Sequence, residues 1–161
     1  MSDDGGTTAR VVALGRELRR LHERIRECLD DVLAGADPTV ALLDVTADPI
    51  GRCRTFCTVL DAHHRQEDAT LFPWLLARRP DLAAVVVRLE EDHRLVGALL
   101  GELATDVTRH APPEVLARHL EGLDAVLENH FRFEERQLVP VLDALSGDGP
   151  GPALGDAFWE P

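Results

Sequence analysis

A chain of 161 residues, 45% of them hydrophobic, is long enough to bury a core without staples, so one domain is the default reading. Its 29 acidic residues outnumber 17 basic ones, all of them arginine, for a net charge of -12, which argues against nucleic acid or an anionic membrane as the main partner. No apolar run reaches the roughly 18 residues that could span a bilayer, and the polar start from Met1 to Ala9 has no apolar signal-peptide segment, so a cytoplasmic location is expected.

Four stretches carry helical periodicity and none alternates with period two. The first runs from about Thr8 to Leu33, with Val11, Leu14, Leu18, Leu21, Ile25, Leu29 and Val32 on one stripe that His22 interrupts. Gly35-Ala36-Asp37-Pro38 ends it. A linker with a short helical turn around Val40 to Val45 leads to Asp48-Pro49, an N-cap followed by proline at the first helical position. The second helix carries Ile50, Cys53, Phe56, Leu60, His63, Glu67, Leu71 and Trp74 before Arg79-Pro80 closes it. With Cys28 the cysteines number three, which argues against a disulfide framework; Cys53 and Cys57 lie four apart and are read as small buried hydrophobes.

The third helix starts at Pro80-Asp81 and carries Leu82, Val86, Leu89, His93, Val96, Leu100, Leu103 and Val107. After Ala111-Pro112-Pro113 the fourth carries Leu116, Leu120, Leu123, Leu127, His130, Glu134, Leu138 and Leu145. Pro73 and Pro140 fall inside helical patterns, so a kink or an early end is expected at both. Residues 1–8 read as a flexible N-terminus and residues 146–161 as a Gly/Pro-rich tail, whose Phe158 and Trp159 are candidates to dock on the bundle. Short connections make successive helices antiparallel neighbours, so the expected architecture is an all-α, up-down-up-down four-helix bundle.

The chain says one thing twice. His63-His64-Arg65-Gln66-Glu67 to Leu75 returns 67 positions later as His130-Phe131-Arg132-Phe133-Glu134 to Leu142, and both copies keep His-x3-Glu-x3-Leu-x-Pro-x-Leu. On a helix, His and Glu four apart project from one face at a spacing that lets an imidazole and a carboxylate grip one metal. A lone pair of this kind is usually a solvated salt bridge. Here both pairs continue apolar stripes, as do His22 and His93, and burying six such groups without partners would be costly. A metal partners all of them at once. Imidazoles with two bridging carboxylates suit iron, manganese or zinc, and two irons best.

On these residues the chain resembles the hemerythrin-like, or HHE cation-binding, proteins, over roughly Ala9 to Leu145. The resemblance implies a four-helix bundle around a non-haem di-iron centre, two Fe ions joined by an oxo or hydroxo bridge, with manganese or zinc as the lesser alternatives. It makes His22, His63, His93 and His130 terminal ligands and Glu67 and Glu134 bridges. Oxygen-carrying members place their fourth-helix carboxylate five residues after the histidine, which is Glu135 here; Glu134 is favoured because it repeats Glu67. Some members carry a ligating Glu directly after the second-helix histidine, where this chain has His64. Oxygen carriers also have His-x3-His on the third helix, and the corresponding pair here is His93 and Gly97. One imidazole is therefore missing, its place to be taken by His64, water or an exogenous ligand; His64 reads equally as a metal ligand or as a partly exposed side chain.

The expected function is a di-iron protein that binds or reacts with O2, peroxide or nitric oxide in redox or stress chemistry. The alternatives are an oxygen or iron sensor or store, and an oxidase or oxygenase of an organic substrate. Without a nucleotide-binding Gly-rich loop, turnover needs an external reductant or a reducing substrate. Tyrosine is absent, which excludes a tyrosyl radical from this chain. His119 lies about 16 Å along its helix from His130, too far to share the site, and His110 reads as a loop residue.

Overall fold

The computed structural model describes residues 5–36 and 49–145, with side chains for 14–34 and 55–145. The linker turn expected around Val40 to Val45, and Phe158 and Trp159, lie outside the described residues. Within them the chain is all helix, without strands: α1 (Gly5–Ala36), α2 (Pro49–Gln66), a π turn (Glu67–Leu71), α3 (Phe72–Arg78), a 3-10 turn (Pro80–Leu82), α4 (Ala83–Thr108) and α5 (Pro113–Ala144). α2, the π turn and α3 form one continuous rod, so the bundle has four members.

Each member starts and stops where local chemistry requires it. Proline stands first in α2 and α5, where its missing N–H costs nothing. The π turn closes with the Phe72 N–H donating to the Glu67 carbonyl. It lies just before Pro73, whose ring would collide with the carbonyl four residues back in a regular helix. α5 instead continues through Pro140 to Ala144, so the helix does not end early there. α4 is followed by Arg109 at its C-cap and by His110 at φ 55°. The His110 N–H donates to Val107 O at 3.2 Å and the Ala111 N–H to Asp106 O at 2.9 Å, the double bond of a Schellman cap, which usually places glycine at this left-handed position.

α1 packs on α2 and α5, and α4 packs on the same two, giving a square of four. Along α1, Gly15, His22 and Arg26 meet Asp143, Glu135 and Glu128 of α5 in descending order, so these helices are antiparallel. α4 and α5 run likewise, with Arg88 over Phe133, Asp92 by His130 and Asp106 by His119. Gly15 is a true close approach, since a Cβ there would lie 2.6 Å from Asp143 Oδ1.

The core is not continuous. One apolar cluster includes Ile25, Leu29, Phe56, Leu60, Val96, Leu123, Leu127 and Phe131, and Cys28 and Cys57 are half-buried against it. The second includes Leu14, Leu18, Leu21, Leu71, Phe72, Leu89 and Leu138. Between them lies a belt of buried polar residues: His22, His63, His64, Glu67, His93, His130 and Glu134. No helix among the described residues is long and apolar enough to cross a membrane.

A non-glycine residue held at positive φ costs on the order of 1 kcal/mol. His110 is exposed, so His110→Gly is expected to stabilise the chain by about that amount, read as a higher urea midpoint at unchanged slope.

Candidate metal centre

The belt forms because each helix breaks its apolar stripe at one level. His22 follows Leu18 and Leu21, His63 follows Leu60, His93 follows Leu89, and His130 follows Leu127. Residues three and four apart share a helix face, so each histidine is carried inward by its apolar neighbours, and each motif Glu lies one turn further along the same face.

The inward atoms fall into two groups, His64, Glu67, His93 and His130 in one and His22, His63, Glu67 and Glu134 in the other, with the ligand atoms of each group within 4.8 Å of one another. Glu67 belongs to both. Every Nε2 of the five histidines and both oxygens of Glu67 and Glu134 are buried without a hydrogen-bond partner. Several approach closely: His63 Nε2 is 3.1 Å from Glu67 Oε1, His22 Nε2 3.2 Å from Glu134 Oε2, and His93 Nε2 3.4 Å from Glu67 Oε2. None meets the geometry of a hydrogen bond, and the same atoms make up the two groups that share Glu67. Buried polar groups left in this way cost several kcal/mol each by order of magnitude, and a cation in each group supplies the missing partner. The residues present therefore fit bound metal, with Glu67 common to both groups.

The outer nitrogens are held from behind. His22 Nδ1 lies 2.8 Å from Glu135 Oε1, His93 Nδ1 2.7 Å from Asp68 Oδ1, and His130 Nδ1 3.4 Å from Asp92 Oδ2. A carboxylate on Nδ1 fixes the tautomer that leaves the Nε2 lone pair free for metal, and raises its donor strength. The sequence reading gave no role to Asp68 or Asp92 and weighed Glu135 only as a bridge. The signal was present in the repeat: an acidic residue follows each motif Glu, Asp68 after Glu67 and Glu135 after Glu134. Each acidic pair grips one histidine of a neighbouring helix at both ring nitrogens, Glu67-Asp68 taking His93 and Glu134-Glu135 taking His22.

The absent imidazole opposite Gly97 is corrected by the packing. The buried face of α4 runs Leu89, His93, Val96, Leu100, whereas Gly97 is exposed and a Cβ there would meet nothing within 4 Å. The residue four after the histidine of α1 is Arg26, which also turns outward, to Glu128 and Glu135. A histidine at 97 would point to solvent. His64 is the side chain brought in, 5% exposed, its ring stacked on His93 at 4.0 Å. His119, paired with Asp106 at 2.6 Å, stays at the surface.

Without metal the belt sorts its protons unevenly. Burial would lower the pKa of His22, but Glu134 and Glu135 outweigh it and lift it to about 9; Glu67 does the same for His93, to about 9. Burial, added to by neighbouring imidazoles, drives His63 down to about 3 and holds His64 well below its usual value. His130 is lowered by burial, against the opposing pull of Glu134. Burial together with the Glu134 charge raises Glu67 to about 7; Glu134 falls to about 2, because His22 outweighs the burial that would raise it. His63, His64 and His130 are thus neutral at pH 7, with lone pairs available, while His22 and His93 hold protons that a metal must displace.

The family described as hemerythrin HHE cation binding domain matches residues 13–142 of the chain. Comparison with curated proteins gives no match, and neither does comparison with solved structures.

Two outcomes follow from this geometry. Metal uptake should strengthen as pH rises from 7 toward 9, with release of the protons of His22 and His93; calorimetry in buffers of different ionisation enthalpy reads the release. Glu134→Ala should lose a metal, whereas Glu135→Ala, which removes only the Nδ1 partner of His22, should keep both ions at about 10- to 100-fold weaker affinity, measured by competition with a chelator.

Proposed function

We propose, since the chain belongs to the hemerythrin HHE cation-binding family, that its buried belt holds two iron ions and uses them to bind or react with O2, peroxide or nitric oxide. The observation that carries this reading is the convergence of five unpartnered imidazole nitrogens and four unpartnered carboxylate oxygens on two groups that share Glu67. A mixed imidazole and carboxylate donor set, inside a four-helix bundle, suits iron.

His64, His93 and His130 with Glu67 would hold one ion, and His22 and His63 with Glu67 and Glu134 the other. Two irons supply electrons and Lewis acidity to one small ligand. The chain's own contribution is threefold. The leucine and phenylalanine clusters above and below the belt keep bulk water from it, which strengthens every charge interaction within. Asp68, Asp92 and Glu135 hold the Nδ1 protons of His93, His130 and His22, so those imidazoles keep one tautomer and one orientation. Arg26 in turn donates to Glu135 at 3.2 Å and to Glu128 at 2.8 Å, which ties the partner of His22 to α1. Each group offers four residues, three imidazoles with one carboxylate on one side and two of each on the other. Electrons for turnover come from an external reductant or a reducing substrate.

Metal-free chain loaded anaerobically with Fe(II) should take up close to two irons and melt at a higher temperature than the metal-free form, because metal that binds only the folded state stabilises it by mass action. Exposure to O2, peroxide or nitric oxide should change the near-ultraviolet spectrum. Uptake that stops at one iron, or a spectrum indifferent to all three reagents, would overturn this reading. A long-lived adduct marks binding, and repeated consumption of the reagent with a reductant marks catalysis.

A further inference from the structure

Phe133 of α5 is half-buried at the edge of the second apolar cluster. The Arg88 guanidinium of α4 lies over its ring, the Cζ atom 3.8 Å from the centroid, and that of Arg136, one turn on in α5, lies at 5.8 Å. Both distances are within cation–π reach. Both arginines are exposed, and among the described residues neither makes an ion pair. The chain holds 29 acidic residues, and Arg26, Arg65, Arg79 and Arg132 each sit on a carboxylate. Asp92, one turn along α4 from Arg88, is turned to His130 Nδ1 at 3.4 Å. The arrangement belongs to one half of the bundle alone. Phe133 and Arg136 stand where the first motif copy has Gln66 and Ala69, and Arg88, five residues before His93, stands where α1 has Glu17, five before His22.

We infer that Arg88, Phe133 and Arg136 form a binding site for the phosphate group of a small molecule, on the surface between α4 and α5. A guanidinium that lies over a ring is held there by its face, while its N–H donors remain at the edge in the planar fork that grips phosphate oxygens two at a time. The ring thus sets two forks side by side. Their two positive charges match the charge of about -1.5 to -2 on a phosphate monoester, whereas a single carboxylate leaves one of them unmatched. The net charge of -12 repels a polyanion, so a small phosphate ester fits the surface and a nucleic acid does not. The site adjoins the belt from outside: Phe133 follows His130 by three residues, and Asp92, which holds His130, follows Arg88 by four. It uses none of the belt residues and stands apart from the two-metal reading.

The full chain, metal-free and again after iron loading, is titrated with inorganic phosphate at low salt and followed by calorimetry. One phosphate should bind per chain with the same affinity in both forms, and acetate should bind more weakly. Arg88→Gln and Arg136→Gln should each weaken phosphate by about tenfold or more, the scale of one charge-assisted hydrogen bond. Arg88→Lys, which keeps the charge and loses the fork, should recover only part of that loss. Arg16→Gln, which removes an exposed arginine of α1, should leave the affinity unchanged. Absence of phosphate binding, binding that survives both glutamine variants, or an equal loss in Arg16→Gln would overturn the site. Phosphate taken up only by the iron-loaded chain would place it on the metal and overturn the site as well. A short single-stranded oligonucleotide that binds more tightly than phosphate, through the same two arginines, would overturn the assignment to a small molecule.

Discussion

Everything in this bundle is arranged around a buried polar layer. Five imidazole nitrogens and four carboxylate oxygens lie without a hydrogen bond between two apolar clusters. Such a layer is costly to bury, and the close approach of imidazoles to Glu67 and Glu134 offsets only part of that cost. The apolar clusters supply the free energy that holds it in place, and a cation makes the same layer favourable. Stability and metal affinity are therefore two readings of one constraint.

The same constraint explains why the belt is supported from outside. An imidazole with an unpartnered Nε2 is free to rotate or to change tautomer unless its far nitrogen is held. Asp68, Asp92 and Glu135 do this for three of the five histidines, and Arg26 steadies Glu135 and lies over the Phe131 ring at 5.2 Å. The bridging and supporting roles fall to adjacent residues, Glu67 with Asp68 and Glu134 with Glu135. Successive residues on a helix point about 100° apart: one carboxylate reaches into the belt, and its neighbour reaches around the edge of the next helix to the back of the ring.

The periodicity of the sequence carried the helices, the buried stripes and the level of the belt, because each histidine stands in its stripe where a leucine would otherwise be. It did not carry the outer carboxylates. Asp68 and Asp92 are half-buried and look like ordinary solvated acids in a chain with 29 of them. Their role depends on which helix lies opposite, a matter of packing and not of spacing. Gly97 shows the converse error. Counting four residues from His93 placed it on the inner face, but the face is a stripe of finite width, and Val96 holds its inner edge.

The doubled His-x3-Glu motif by itself determined that this chain places carboxylates and imidazoles together on facing helices, and the match over residues 13–142 names the family in which that pattern is at home. Only the tertiary structure decided that His64 is buried and not partly exposed. About 100° separates it from His63 on the helix, an angle that suits an exposed side chain as well as a buried one. What settles it is the position of α4, whose His93 ring lies against it at 4.0 Å. The same packing sets Phe131 against His22, as it sets His64 against His93. A sequence records the difference between the two copies; the crossing of the helices gives it a location.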